Sequence, residues 1–394
     1  MNAYLDNNAN TPVLPEVLEA MLPALRGELG NPSSIHQRGQ AAKAAMEQAR
    51  SEVAALIHAP ASGIVFTSGG TESDNLAIRG LLGAWEESHP RAPKAHVITT
   101  RIEHPAVLHV FEDLERTGHP VSWIRPDGDG RISAQDVAGA LQPDTALISV
   151  MLANNETGVL QPIEEIAALA QRVKVAFHVD AIQAVGRVGV DAPALGCSAL
   201  SLSGHKIHAP AGIGALYVRR GTRLRPQQLG GRHERDRRAG TENLPGIVGL
   251  GVAARLARQE LGQRAAHYAQ LRDRLEAGVR AAIPRSGVAG EAAPRVPNTS
   301  DIYFEGIEGE ALVIALDLHG FCVSTGAACS SGSIEPSHVL LAMGWPKARA
   351  RACLRFSFAA QNTSHEVEHL LDVLPALVEK QRTLALAQPA GARA

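Results

Sequence analysis

Cysteine is scarce in this chain. Its 394 residues include only four, Cys197, Cys322, Cys329 and Cys353, and no two stand as C-x-x-C, so spacing suggests neither a zinc site nor a disulfide framework. In a reducing compartment these are free thiols. Charge of one sign is also lacking: 38 basic residues balance 40 acidic ones, the net charge is -2 and the pI is near 6.8. Such a balance gives no overall field to attract nucleic acid or an anionic membrane. No basic and apolar leader precedes Tyr4-Leu5-Asp6, and no apolar run nears the roughly 20 residues that span a bilayer. The expectation is a cytoplasmic protein with no direct nucleic-acid or membrane partner. No internal repeat is present. With 45% hydrophobic and 20% charged residues, the chain has the composition of a soluble globular protein and is long enough for two cores.

What is present begins with an amphipathic segment from Pro15, which places Val17, Leu18, Met21, Leu22 and Leu25 at helical spacing. Short β-branched runs then alternate with helical stretches: Ile64 to Thr67, His96 to Thr99, Leu147 to Val150, Ala176 to Val179 and Ala215 to Val218. Such alternation predicts a mostly parallel sheet covered by helices, with ligands gathered at the carboxyl ends of the strands. From about Arg255 a long helical stretch, Leu256 through Ala282, leads into turns and isolated strands at Asp301 to Phe304, Phe321 to Ser324 and Leu354 to Ser357. This reads as a large domain over 15–255 and a smaller α+β domain made of 1–14 and 256–394. The Ala-rich end from Ala385 is expected to fray.

Two residues stand out chemically. Lys206 ends Ser201-Leu202-Ser203-Gly204-His205-Lys206, where an apolar strand breaks at a glycine, and a lysine there suits a Schiff base. Cys329 lies in Ser324-Thr325-Gly326-Ala327-Ala328-Cys329-Ser330-Ser331-Gly332-Ser333, too rich in small residues for a core and suited to a moving thiol nucleophile; an inert loop cysteine is the plainer alternative. Cys322 and Cys353, in apolar strand-like settings, are expected to be buried packing thiols.

Other motifs admit two readings each. Ser68-Gly69-Gly70-Thr71-Glu72-Ser73 follows a strand and precedes a helix, so its N–H groups could receive a single phosphate, or it is an ordinary turn. It lacks the lysine of a P-loop and the spacing of a dinucleotide fingerprint. Asp180 in His178-Val179-Asp180-Ala181-Ile182-Gln183 ends a buried strand, where it needs a cationic partner such as a pyridinium nitrogen or else caps the next helix. His104 in Ile102-Glu103-His104-Pro105 could stack on a flat ring or serve as a cap. Asn154-Asn155-Glu156-Thr157-Gly158 is a polar strand tip or a turn. Arg355, between Leu354 and Phe356, could clamp a substrate carboxylate or join an internal salt bridge.

Taken together and in this order, Thr71, His104, Asn155, Asp180, Lys206 and Arg355 in their motifs resemble the pyridoxal-phosphate cysteine desulfurases of the NifS/IscS type, within the class V aminotransferase family. The likeness runs from Tyr4 to about Leu374. It implies the fold type I of pyridoxal-phosphate transferases, α/β, with a mostly parallel seven-stranded sheet in the large domain. It implies that Lys206 binds pyridoxal 5'-phosphate and shuttles the substrate's α-proton, that Asp180 pairs with the ring nitrogen, Gln183 with the ring oxygen, and that His104 stacks on the ring. Gly70, Thr71, Ser203 and His205 would hold the phosphate, with Thr241 reaching from the second subunit of a homodimer. Asn31, Asn155 and Arg355 would fix the carboxylate of L-cysteine. The thiolate of Cys329 would take the sulfur, alanine would leave, and the persulfide would pass to an acceptor protein such as an iron-sulfur scaffold. No resident metal is implied; Cys329 is at most a transient iron-sulfur ligand. An aminotransferase or selenocysteine lyase on the same fold, and a sulfur carrier without turnover, are the competing readings. Family members commonly have Gln at the position of His233, next to Arg232, and Lys at that of Ala211; these departures bear on local contacts and not on the reaction.

Overall fold

The computed structural model describes residues 2–326 and 336–387. Strands β1 to β12 span Ala3–Tyr4, Ile64–Thr67, His96–Thr100, Val121–Ile124, Thr145–Met151, Ala176–Asp180, Ala199–Ser203, Gly214–Val218, Ser286–Val288, Thr299–Phe304, Phe321–Cys322 and Cys353–Ser357. The helices of the first two hundred residues are α1 Pro15–Leu25, α2 Gln37–Leu56, α3 Gly70–Ser88, α4 Pro105–Arg116, α5 Ala134–Gly139, α6 Ile163–Val173 and α7 Ala192–Leu195. Those that follow are α8 Leu244–Gln259, α9 Leu261–Ala282, α10 Gly309–Asp317, α11 His338–Ala342, α12 Lys347–Arg351 and α13 Ser364–Ala387.

Seven strands form one sheet in the order β2-β8-β7-β6-β5-β3-β4. The five from β7 to β4 run parallel, and β8 is antiparallel to both β7 and β2. Strands β5, β7 and β8 are buried along their whole length, as expected of a sheet covered on both faces, and their apolar side chains each contribute roughly 2 kcal/mol by leaving water. One covering helix shows why the sequence folds as it does: in α4, Val107, Val110, Phe111 and Leu114 recur at helical spacing and all are buried, while Pro105 takes the first helical position. A second core gathers Ala3 and Leu5 with residues of α9, α10 and α13 and the antiparallel sheet β12-β10-β9.

Three expectations change. The predicted helix over 256–282 is two helices, broken at Glu260, and Ala253, Ala254 and Ala257 of α8 pack into the large core. The change of character seen near Arg255 therefore falls inside a helix of the large core. In α1 only Val17 is buried; Leu18 and Leu25 stay exposed, because the helix rests on α8 through few side chains, with Met21 lying over Gly249. Cys322 is exposed, not a packing thiol, since β11 is an edge strand paired only with β1 among the described residues; Cys353 is buried as expected. The edge strand β4, with three half-buried residues, carries no clear alternation and was not anticipated.

The stretch of 230–240, which contains Arg232 and His233, is held by one buried ion pair. Arg50 of α2 grips Glu234 with Nη1 and Nη2 at 2.7 and 2.8 Å, and Glu234 also accepts from the Phe66 N–H at 2.8 Å. The guanidinium lies over the Phe66 ring. Glu234, Arg235 and Asp236 have φ of +45°, +58° and +63°, a left-handed run that costs about 1 kcal/mol per residue and needs such an anchor. Replacing Glu234 with Gln should leave the buried Arg50 charge with only the partly exposed Glu47, at 3.1 Å from Nε, for an anion and lower the unfolding free energy by about 3 kcal/mol, read by denaturant titration.

Candidate functional site

The site lies at the carboxyl ends of β5, β6 and β7, where the chain exposes polar side chains as each strand stops. Strand β6 ends on Asp180, paired in register with Met151 of β5 and Ser201 of β7. The Asp180 carboxylate accepts from the Ile182 N–H at 2.9 Å and so caps a turn, not the helix that the sequence allowed. Burial raises its pKa to about 6, opposed by that N–H and by the charge of Lys206. Strand β7 passes into Gly204–Lys206, a single 3₁₀ turn. Gly204 is required there, because a side chain would strike Ile213 and Ala209. The turn delivers Lys206, whose Nζ donates to the carbonyls of Asn8 and Ala9 at 2.6 and 2.8 Å.

His104 stands half-buried at the N-terminus of α4, where its Nδ1 accepts from the Ala106 N–H at 3.1 Å. Burial, then Lys206, His338 and His109, lower its pKa to about 4, so the ring is neutral near pH 7 and carries its hydrogen on Nε2. Of its two readings, the cap is thus present. To take a proton at Nδ1 it would have to give up the cap. His205 bonds Asn10 Oδ1 through Nδ1 at 3.1 Å, and burial, then Lys206, Arg187 and His104, hold it near 4 as well.

The loop before α3 has the features of an anion cradle. Gly69 precedes the helix without any side-chain cap, so the first N–H groups are left for another acceptor. A Cβ on Gly70 would run into Ile182 at 2.3 Å. Ser203 Oγ is buried with no hydrogen-bond partner among the described residues, and Thr71 is exposed at the helix start. Arg238 clamps Glu72 at 2.8 and 3.3 Å, while Glu72 accepts from the Ser68 N–H at 2.7 Å, bringing the segment that carries exposed Thr241 to this loop.

Arg355 of β12 donates through Nη2 to Asp6 at 2.7 Å and through Nη1 to the Asn155 carbonyl at 2.9 Å, leaving Nε with no partner among the described residues. Of its two readings, the internal salt bridge is thus present in this state. Asn31 is exposed and accepts from the Ser33 N–H at 2.8 Å; no contact joins it to the other site residues here. Cys329 lies outside the described residues. The chain on either side of it rests on Glu156: a Cβ on Gly326 would meet that carboxylate at 2.6 Å, and Ser337 donates to it. His338 bonds the Glu103 carbonyl at 3.0 Å.

Several residues at this site were not singled out from sequence. Asn8 is the foremost: its carbonyl receives Lys206 Nζ and also Gln183 Nε2 at 3.0 Å, and its side chain donates to the Asn155 carbonyl at 3.1 Å. Arg187 fixes Gln183 by bonding its carbonyl at 2.8 Å and its side-chain oxygen at 2.5 Å. The polar run Asp6-Asn7-Asn8, just after a strand, was the available signal. Glu103 is wholly buried, accepting from Thr100 and the Met151 N–H. Among the described residues no cluster of His, Cys, Asp and Glu could hold a metal ion, and no helix is long and apolar enough to cross a membrane.

A buried carboxylate facing an amine, a side-chain-free helix start and an unpartnered Ser203 hydroxyl are what a phosphorylated, protonatable ring bound to a lysine requires. These features fit pyridoxal phosphate. Residues 3–370 match the aminotransferase class-V family model, and the chain belongs to that family, in its NifS/IscS branch, whose members depend on this cofactor. It is 48% identical over 382 residues to a cysteine desulfurase of Trichormus azollae, covering 97% of this chain and 94% of the relative. It is 46% identical to the cysteine desulfurase NifS of Azotobacter vinelandii, covering 98% and 94%. A solved NifS-like protein superposes with a TM-score of 0.89 at 34% identity, over 96% of this chain and all of that one.

The buried acid Glu103 gives this site a pH signature. Burial raises its pKa to about 8, so the folded state keeps a proton that the unfolded chain releases near its ordinary value. The stability this proton contributes is complete below about pH 4.5 and is lost as pH rises toward 8. Against Glu103→Gln, which cannot titrate, the wild-type unfolding free energy should fall between pH 5 and 8 by up to about 1.4 kcal/mol per pH unit and level off above; a parallel pH dependence of the two proteins would refute the buried proton.

Proposed function

We propose that this protein is a cysteine desulfurase: it takes sulfur from L-cysteine, releases L-alanine and holds the sulfur as a persulfide on Cys329. The observation that carries this reading is the convergence of Lys206, Asp180 and His104 at one end of the sheet, after β7, β6 and β3, in a chain nearly half identical to relatives that bear that name. Lys206 would bind the cofactor covalently, and its Nζ would move the α-proton. Asp180 would meet the ring nitrogen, Gln183 the ring oxygen, and neutral His104 would stand beside the ring. Gly70, Thr71, Ser203 and His205 would hold the phosphate, joined by Thr241 from the second subunit of a homodimer. Asn31, Asn155 and Arg355 would receive the substrate carboxylate. When bound, pyridoxal phosphate supplies an electron sink conjugated to the substrate's α-carbon.

Sulfur transfer itself falls to Cys329. Its thiolate attacks the substrate sulfur, an S–S bond forms as the substrate's C–S bond breaks, and the carbon left behind is protonated to give alanine. The thiolate must be formed first, and the cap on His104 Nδ1 leaves the substrate as the better acceptor of that proton. The persulfide then passes to an acceptor protein such as an iron-sulfur scaffold, in the cytoplasm.

The purified protein should be yellow and release alanine from cysteine. Lys206→Ala should lose the colour that survives gel filtration, whereas Cys329→Ala should keep it while alanine release in the presence of a thiol reductant falls at least about tenfold. Full release by Cys329→Ala would remove the thiol from the reaction; a keto acid product with pyridoxamine phosphate would make the protein an aminotransferase instead.

A further inference from the structure

Beneath the candidate site, the sheet face under α3 is polar where most of that face is not. In register across the sheet, Ser149 of β5 faces His178 of β6. His178 bonds Ser149 Oγ through Nδ1 at 2.8 Å and Ser201 Oγ of β7 through Nε2 at 2.9 Å. Its imidazole is fully buried and held neutral, near 3, by that burial. Above it stands Asp74, in the second turn of α3. Asp74 has no exposure at all, its Oδ1 is 3.6 Å from His178 Nε2, and neither carboxyl oxygen has a hydrogen-bond partner among the described residues. An ionised carboxylate left that way is among the costliest arrangements a core can contain. Neither its packing nor the reaction proposed above accounts for it.

The groups facing Asp74 decide its state. Asp180 and His178 come from β6, Ser201 from β7 and Glu103 from the turn after β3. Lys206 acts on Asp180, and His178 brings no charge. Burial, then the carboxyl of Asp180, push the Asp74 pKa well up; the nearby Ser201 hydroxyl eases this only in part, and Glu103 adds to it. Asp180 lies two residues on from His178 in β6 and so on the same face of the sheet, the face on which Asp74 stands over His178; two carboxyls in one such buried place cannot both ionise, and the pair shares a single proton. The member nearer a cation keeps the charge. Asp180 has Lys206 and the Ile182 N–H on its side; Asp74 has neither.

We infer that Asp74 is a positioning residue, a neutral carboxylic acid that holds the proton of a buried pair so that the negative charge stays on Asp180, against the cofactor's ring nitrogen. This rests on the reading that Asp180 meets that nitrogen. The chain thereby controls ring protonation from a residue that touches no substrate. Asp74 sits at i, i+4 and i+7 with Ile78 and Leu81, at a core position of α3, where an apolar side chain would pack without cost.

The test uses the full protein with and without cofactor. Infrared difference spectra at pH 7 between wild type and Asp74→Asn should show the carbonyl stretch of one protonated carboxylic acid, shifted in D₂O, that only wild type possesses. In the loaded protein the ring-nitrogen resonance of ¹⁵N-labelled pyridoxal phosphate should stay in its protonated range in Asp74→Asn, and the affinity of the apo-protein for the cofactor should stay within about threefold, because the amide mimics the neutral acid. If Asp74→Asn does not fold, Asp74→Ser, neutral and smaller, is read in the same way. No lost band, or a ring nitrogen that loses its proton in the neutral variant, means that Asp74 carried charge and overturns the inference. Asp180→Asn separates the two claims: if that variant leaves the ring nitrogen protonated, the assignment of Asp180 is what fails.

Discussion

One carbonyl ties this molecule together. The backbone oxygen of Asn8 receives both Lys206 and Gln183, residues that leave the sheet at the ends of two neighbouring strands. The Asn8 side chain meanwhile reaches Asn155 at the tip after β5 and Thr299 of the small sheet. The N-terminal segment is thus threaded between the two cores: Leu5 is buried in the smaller one, and Thr11 bonds the His205 carbonyl beside the reactive lysine. Four elements far apart in sequence are placed by hydrogen bonds to one short stretch. In a buried setting such bonds are expensive to leave unmade, so the stretch has little freedom to shift.

Around this knot the chain concentrates buried charge and then supplies partners unevenly. Arg355 has Asp6 within 2.7 Å and, directly across the ladder, Asp301, whose carboxyl has no hydrogen-bond partner among the described residues and is pushed up to about 8 mainly by burial. Asp180 and Asp74 form a second such place, and Glu103 a third. By contrast, the structural pair Arg50–Glu234 is fully bonded on both sides. Among the described residues, unsatisfied polar atoms occur at the candidate site, on Ser203, Asp74, Glu103 and Arg355, and also beside the Arg50–Glu234 pair, on His233 and Arg237.

Much of this was legible in the sequence. The β-branched runs gave five of the seven strands of the main sheet, because strands covered on both faces are mostly apolar; edge strand β4, half-exposed, left no such trace. Lys206, Asp180, His104 and Gly70 were each readable as chemistry at the end of a strand. Their local alternatives were not separable, since a cap and a ring-stacking residue require the same histidine at the same place, and the structure shows His104 capping. Cys322 misled because an apolar neighbourhood in sequence says nothing about whether an edge is covered.

By itself the sequence determined the buried strands of the main sheet and which polar side chains stand where they stop, since periodicity and chain breaks are local properties. The tertiary structure alone decided that Asn8 joins those side chains, that Arg355 already has an acid, and that Asp74 stands over His178. Those are facts about distance and burial between segments up to some 350 residues apart, and electrostatic energy depends on both.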